Sequence, residues 1–381
     1  MNNDTSNNPT LKQVHENYHL LESADFVIPN NIRLISNVRF SEKNEISVRY
    51  IAPNFFIRLF RRLPLFFSFF HALQIFFSAD SQTIILIDGS DKAVWLFTGC
   101  LNRIFFFRKR TLFLWDIFVE YILGTEKKIK IFPFLKFKTK WKEYLARNAL
   151  LSYDLLVQWS KKQVSSHADY YRLPEEKLFF LPFKSNHSNS SKLRQYDLHV
   201  GKFVFSGGNG KRDYKCLVDA VKGTDIPVII SATDPDVRKT IEYLPNVIVL
   251  GAPEPAFAQL QAASQFVVIP MIHSGLKGGG ETNVCNAMWH SKPVIACCNM
   301  AAEDYIIEGE TGFVIPSGDS ELLRRRILEL WNDPERVAEM GKKAHAHVKK
   351  NFTHDLLTLR LLRLAMILGD EKNSRNSTQG D

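Results

Sequence analysis

Cysteine is scarce in this chain. Of 381 residues five are cysteine: Cys100, Cys216, Cys285, Cys297 and Cys298. The number is odd and no two stand in a Cys-x-x-Cys pair. That excludes a disulfide framework and a cysteine-built zinc site, and it is the usage of a reducing compartment. Cys297-Cys298 borders an apolar run and reads as packing. Long hydrophobic runs are lacking too. The most apolar stretch, from Leu65 to Phe77, is too short to span a bilayer and contains His71 and Gln74, so any membrane contact is expected to be peripheral. The segment from Met1 to Leu11 is polar and lacks the apolar core of a secretion signal. A cytoplasmic location, including the inner face of a membrane, is therefore expected. No internal repeat of fixed period is found.

What is present is an ordinary globular composition, 45% apolar and 23% charged, at a length that suits two domains. The net charge of +9 points to an anionic partner, whether nucleic acid, a membrane surface or a phosphorylated substrate. Charge alone does not choose among them.

Apolar segments that read as strands buried on both faces alternate with helical segments along the chain, which predicts parallel sheets and an α/β fold. The boundaries follow from composition. Residues 1–25 are polar and expected to be flexible. Residues 26–185 form a first α/β domain, in which the span from Phe55 to Phe77 has the length of one helix. Residues 186–199, opening on Asn186-His187-Ser188-Asn189-Ser190-Ser191, have the composition of a linker. Residues 200–350 form a second α/β domain, with Asp319 a good N-cap for a helix from Ser320 to Trp331. A last helix covers 351–368, most clearly from Leu356 to Leu368, and 369–381 read as a disordered tail.

The stretch Gly278-Gly279-Gly280-Glu281-Thr282-Asn283 carries the sharpest chemical signal. It follows an apolar run that reads as a buried strand and leads into a helix of small and apolar residues. Glycine lets the backbone approach a ligand, and the first N–H groups of a helix, with its dipole, favour negative charge. Gly279, Gly280, Glu281, Thr282 and Asn283 are therefore candidates for a diphosphate cradle, with a nucleotide diphosphate as ligand. The other reading is a plain tight turn.

Three segments taken in order carry a resemblance. Phe205-Ser206-Gly207-Gly208-Asn209-Gly210-Lys211-Arg212-Asp213-Tyr214 ends the first strand of the second domain. Asn286-Ala287-Met288 and Lys292-Pro293-Val294-Ile295-Ala296 follow the glycine turn. Glu308-Gly309-Glu310-Thr311-Gly312-Phe313-Val314-Ile315-Pro316-Ser317-Gly318-Asp319 completes the series. Together they resemble the donor-binding half of the retaining GT-B glycosyltransferases (glycosyltransferase group 1, family 4-like), from Phe203 to about Leu368. The N-terminal half is similar only in its α/β pattern. The resemblance implies a GT-B fold, in which two Rossmann-like domains face each other across a cleft. It also implies a nucleotide diphosphate sugar, UDP- or GDP-linked, as co-substrate, and a final helix that crosses back to the first domain.

It further implies where the chemistry sits. Arg212 lies where the family has a diphosphate-binding lysine; its other reading is a solvated residue at a helix start. A second basic residue usually follows the first glycine of that segment, Gly207, but here Gly208 stands there, so Lys211 or Lys277 is expected to supply the charge. The family has two glutamates separated by seven residues. The second, on the ribose, aligns with Asn286; the first aligns with Gly278, or with Glu281 if the loop is shifted. Glu281 is the candidate acidic residue near the sugar, or else a helix-start charge. Trp115-Asp116 stands where many members have His-Asp, so Asp116 either orients an acceptor or sugar hydroxyl or caps a turn. His273 is a further candidate sugar contact. The reaction implied uses no metal and no cofactor and retains the anomeric configuration, with Glu281, Asp116 and Arg212 as catalytic residues.

A second feature lies outside those segments. Arg58, the run Leu59-Phe60-Arg61-Arg62-Leu63-Pro64-Leu65-Phe66-Phe67-Ser68-Phe69-Phe70, Arg108-Lys109-Arg110 and the lysines from Lys127 to Lys142 combine arginine with aromatics. They read as a face for anionic lipid or as a core helix with a basic edge; no RNA-binding motif supports nucleic acid. The expected function is thus a hexosyltransferase acting on a glycan or lipid-linked acceptor in cell-surface polysaccharide or glycolipid synthesis. The alternatives are an inactive GT-B partner subunit and a GT-B nucleotide-sugar epimerase, with a basic nucleic-acid-binding module a distant third.

Overall fold

A computed structural model describes residues 5–41, 45–80, 82–90, 93–105, 110–115, 139–188, 201–272, 279–297 and 301–378. By its internal contacts the chain divides into two units. The first comprises Met1–Gln158, Val164–Leu181 and Thr358–Asp381; the second comprises Trp159–Gln163 and Pro182–Leu357.

The first unit holds a six-stranded parallel sheet: β1 (Arg33–Ser36), β2 (Val48–Tyr50), β3 (Thr83–Asp88), β4 (Thr111–Trp115), β5 (Leu155–Gln158) and β6 (Leu178–Phe180), in the order β2-β1-β3-β4-β5-β6. Its inner strands bury nearly every side chain, as in Ile84 to Ile87 and Leu112 to Leu114, because helices cover both faces of a parallel sheet. The second unit repeats the plan with β7 (Val204–Gly207), β8 (Val228–Ser231), β9 (Val247–Leu250), β10 (Val267–Ile269), β11 (Val294–Cys297) and β12 (Gly312–Ile315), in the order β12-β11-β10-β7-β8-β9. Its first strand is central. β8 and β9 build outward on one side and β10 to β12 on the other, so the winding reverses between β7 and β10. In such sheets ligands bind beyond the carboxyl ends of the strands at that reversal. No described helix is long and apolar enough to cross a membrane.

Three expectations are corrected. The span from Phe55 to Phe77 is not one helix. It comprises Phe55–Leu59, a 3-10 turn Phe60–Arg62 and a helix Pro64–Phe77. Leu63 takes φ −117° and ψ 80°, since the ring of a following proline pushes the preceding residue out of the helical region. Second, the N-terminus is folded from residue 5. Thr10 and Gln13 form a capping box on the helix Leu11–Glu16. Third, the last helix, His354–Thr378, runs on through the polar residues after Leu368.

The last two corrections share a cause. Polar residues at the two termini meet and satisfy one another. Arg360, fully buried, donates from Nε and Nη2 to Glu22 Oε1 at 3.0 and 2.7 Å and lies over the Tyr18 ring. Arg363 donates to the carbonyls of Leu21 and Ser23. Farther along the helix, Asp370 accepts from Thr5 Oγ1 and Glu371 from the Leu11 amide, both at 2.7 Å. Glu22→Gln removes the carboxylate that accepts two bonds from the buried guanidinium. Breaking a buried pair costs about 3–5 kcal/mol; discounted for the partial exposure of Glu22, a loss of about 2 kcal/mol is expected. Urea unfolding checks it, and an unchanged midpoint would remove this pair as the fastening of the N-terminus.

Candidate functional site

The winding reversal of the second unit is a hydrogen-bonded junction. The loop after β7 lies antiparallel to the segment after β10: the Asp213 amide donates to Pro270 O at 2.8 Å and the Ile272 amide to Lys211 O at 3.0 Å. This places Arg212 opposite Met271. Lys211, with φ +49°, turns the chain there. The guanidinium of Arg212 folds back over its own loop. Nε donates to Gly207 O at 3.1 Å and Nη1 to Gly210 O at 2.9 Å, while Nη1 also touches the Met271 sulfur. Burial pulls the Arg212 pKa down, opposed by Tyr214 and Glu281. Tyr214 donates its hydroxyl to Gly208 O at 2.6 Å, and burial pushes that phenol up to about 12, against the pull of Arg212.

Gly208 explains one departure from the resemblance. Its φ is +117°, and a Cβ there would sit 2.8 Å from Arg212 Nη2. The space that a basic side chain at 208 would enter is filled by the guanidinium of Arg212. A side chain at 208 would require the Arg212 guanidinium to leave this position.

The glycine turn lies alongside. Gly280, at φ +91°, caps the helix Glu281–Trp289, and no side chain supplements it. The Val284 amide bonds Gly280 O, so the amides of Glu281, Thr282 and Asn283 precede the first intrahelical bond, the arrangement that suits an anion. Asn283 ties the turn to the β7 loop, donating from Nδ2 to Gly207 O at 3.1 Å; its own carbonyl accepts from Gln261. A small cavity of about 10 Å³ opens here, lined by Met271, Gly279, Gly280, Glu281 and Tyr305 among others.

Asn286, one turn on, does something else. It is buried, and its Oδ1 accepts from Ser185 Oγ at 2.9 Å and the Asn186 amide at 2.8 Å. The segment so held continues to His187, whose Nδ1 lies 2.8 Å from His290 Nε2, with Glu254 at 3.7 Å from His187 Nε2. Burial, then the neighbouring His187, lowers the His290 pKa to about 4. The residues expected to form a linker are thus, through Ser188, fastened along this helix. The third motif is structural. The Glu308 carboxylate accepts from the Val314 amide, Asp319 caps the helix Ser320–Trp331, and Ser317 Oγ reaches Met271 O.

The structure therefore gathers Gly207, Gly208, Lys211, Arg212, Gly279, Gly280, Glu281, Thr282 and Asn283 at one end of one sheet, with the Asn286 amide oxygen engaged elsewhere. His273, Lys277, Gly278 and Asp116 lie outside the described residues. In the first unit, the carboxyl ends of β1, β3 and β4 bring up residues that the sequence did not signal. Asn37 Oδ1 accepts from the Asp88 amide at 2.8 Å and Nδ2 donates to Asp88 O, while the Gly89 amide donates to Trp115 O at 2.7 Å. The Asp88-Gly89 turn after a buried strand was the available cue. Among the described residues no group of three metal-binding side chains occurs.

Two outcomes follow. Gly208→Ala should cost about 1–3 kcal/mol, the range for a strained backbone position, and less in an Arg212→Ala background, where the Cβ meets no guanidinium; urea unfolding of the two single variants and the double variant measures the difference, and equal costs would refute the displacement of the guanidinium. For His290, the unfolded chain binds the proton near pH 6.5 and the folded chain only near pH 4, so the contribution is fully present above pH 6.5 and is lost as pH falls toward 4. Allowing for partial exposure, about 2 kcal/mol should disappear over that window. His290→Gln should flatten it in unfolding curves at pH 5 and pH 7.5; an unchanged slope counts against the assignment.

Comparison with known proteins agrees with this geometry. Residues 216–333 match the family described as Glycosyl transferases group 1. The D-rhamnosyltransferase WbpZ of Pseudomonas aeruginosa is 31% identical over 175 residues, 43% of this chain and 45% of that protein. The chain spans less than half the length of the first curated relatives it matches, at 45%, 24% and 25% of their sequences. Among solved structures, a glycosyltransferase from Rickettsia africae superposes with a TM-score of 0.56 at 14% identity, covering 89% of this chain and 90% of its own. Anabaena Alr3699/HepE in complex with UDP-glucose does so at 0.55 and 18% identity, covering 90% and 91%. Residues 216–333 thus resemble a Glycosyl transferases group 1 domain, and with its two parallel sheets and this junction at the carboxyl end of β7 the chain has the GT-B fold.

Proposed function

We propose that this chain moves a hexosyl group from a nucleotide diphosphate sugar, UDP- or GDP-linked, to a glycan or lipid-linked acceptor at the inner face of a membrane, in the synthesis of a cell-surface polysaccharide or glycolipid. The observation that carries the reading is the Arg212 guanidinium, held on main-chain carbonyls beside the helix start at Glu281. Carbonyl dipoles hold a cation without neutralising it, so its charge remains available to a diphosphate. As the bond from the anomeric carbon to the phosphate oxygen breaks, negative charge grows on the leaving group. Preorganised donors aimed there contribute several kcal/mol.

In this reading Arg212 and Lys211 meet the phosphates together with the amides at Gly279 to Asn283, and no metal is needed. The new bond to the acceptor oxygen forms on the face the phosphate leaves, so configuration is retained, and the acceptor proton passes to the departing phosphate oxygen. Glu281 serves the sugar, as do His273 and Lys277. Asp116 serves a sugar or acceptor hydroxyl. The relatives named above support the reading: one is called a D-rhamnosyltransferase and another was solved with UDP-glucose. One observation favours a second reading, a partner subunit without transfer activity: the Asn286 oxygen, expected at the ribose, is occupied by Ser185 and Asn186.

Thermal-shift screening against UDP- and GDP-sugars separates these. A donor at a hundredfold its dissociation constant stabilises by about 2.7 kcal/mol, a shift of several degrees at this size. Arg212→Ala should weaken that donor about 10-fold or more. Equal shifts in both proteins would remove Arg212 from the site, and the absence of any shift in the wild type would favour the inactive subunit.

A further inference from the structure

The strongest surface feature outside the site lies on the first unit, around the break at Pro64. Phe55 is 80% exposed, Phe56 57%, Leu59 63% and Leu63 53%, and Phe66 and Phe69 are also exposed. Exposed apolar groups scattered singly are normal, but a contiguous patch marks an interaction surface. These are contiguous. Phe60 contacts Phe56, Phe66 and Phe70 with ring centroids 5.2–6.2 Å apart, and Phe70 contacts Phe69 at 5.5 Å. Phe69 reaches Phe97 at 5.4 Å, on the helix Val94–Ile104, which ends in the exposed Arg103 and Ile104. Phe55 and Leu59, one turn apart on the short helix, and Leu63 just past the 3-10 turn are exposed, interleaved with exposed Arg58, Arg61 and Arg62.

Charge selects the occupant. From residue 46 to residue 79 the chain holds four arginines, at 49, 58, 61 and 62, and no aspartate or glutamate. Among the described residues no carboxylate pairs with Arg58, Arg61 or Arg62. A second copy docked by two-fold symmetry would set these arginines against each other with no acid on the face to pair them, so self-association is disfavoured. Nucleic acid would meet the arginines and find rings in Phe55 and Phe56, yet the aliphatic Leu59 and Leu63, 63% and 53% exposed between those arginines, offer a base no stacking face. An anionic bilayer satisfies both components: the arginines lie at the phosphates, and the Phe and Leu tips enter the acyl boundary. Arg110, expected to add to this face, is instead buried and lies over the Phe76 ring, and Lys127 to Lys138 fall outside the described residues.

We infer that the surface formed by Phe55, Arg58, Leu59, Arg61, Arg62 and Leu63 docks the first unit onto an anionic phospholipid bilayer. The inference does not rest on the transfer reading and is tested without a sugar donor.

Co-sedimentation of the full chain with phosphatidylcholine vesicles, with and without phosphatidylglycerol, is the experiment. Binding should require the anionic lipid and weaken with salt. Arg58→Gln, Arg61→Gln and Arg62→Gln together should weaken it about 100-fold, given the worth of each basic residue at such a surface. Phe55→Ser with Leu59→Ser should weaken it about 30-fold or more by removing inserted apolar area. All these side chains are exposed, so melting temperatures should match the wild type, and that match certifies the comparison. The proposal is overturned by wild-type protein that stays in the supernatant, by equal binding of wild type and both variants, by a wild-type dimer in sedimentation velocity that the Phe55 variant abolishes, or by retention on single-stranded oligonucleotide without vesicle binding.

Discussion

Arg212 reaches back from the loop after β7 to the carbonyls of Gly207 and Gly210, and the carboxyl end of the second sheet is arranged around that reach. The contact needs Gly208 without a side chain, Met271 beneath it, and the Gly207 carbonyl kept in place by Asn283 from the neighbouring helix. A cation withdrawn from water is costly unless polar groups replace the hydration it loses. Here the replacements are carbonyl dipoles, and among the described residues no carboxylate pairs with it. Glu281 is near enough to raise its pKa. The result is a positive centre fixed by the backbone, beside the start of a helix, where the winding of the sheet reverses between β7 and β10.

Much of this was legible in the residues. Strands buried on both faces leave unbroken apolar runs, so Thr111–Trp115 and Val228–Ser231 could be placed by composition alone; Val247–Leu250 is as apolar although it lies at the sheet edge with Ile248 exposed. The helix Ser320–Trp331 announced itself through Asp319, and the parallel α/β plan followed from the alternation. What escaped depends on tertiary partners. The helix Pro334–Asn351 passed unmarked although Asp333-Pro334 is a cap followed by proline at the first position; its polar sequence leaves a narrow apolar stripe. The N-terminal residues and the end of the last helix look solvated when read singly, and only their pairing across the first unit accounts for their folding. The role of Asn286 was equally hidden, because Ser185 is a hundred residues away in sequence and joins it only through the fold.

The two departures from the resemblance that fall on described parts of the donor domain therefore differ in kind. Gly208 is compensated, since the guanidinium of Arg212 occupies the place that a side chain at 208 would take. Asn286 is not. Ser185 and Asn186 present two donors to a buried acceptor, and a neutral amide oxygen satisfies them at less desolvation cost than a carboxylate would. A carboxylate there would have to stay ionised beside an apolar helix face, with Cys285 next to it fully buried. Replacing it by asparagine relieves that cost and gives up a charged acceptor for ribose hydroxyls. On the proposed reading the phosphate end of the site keeps its preorganised groups while the nucleoside end is neutralised, so a bound nucleotide sugar would owe its affinity to its diphosphate more than to its ribose.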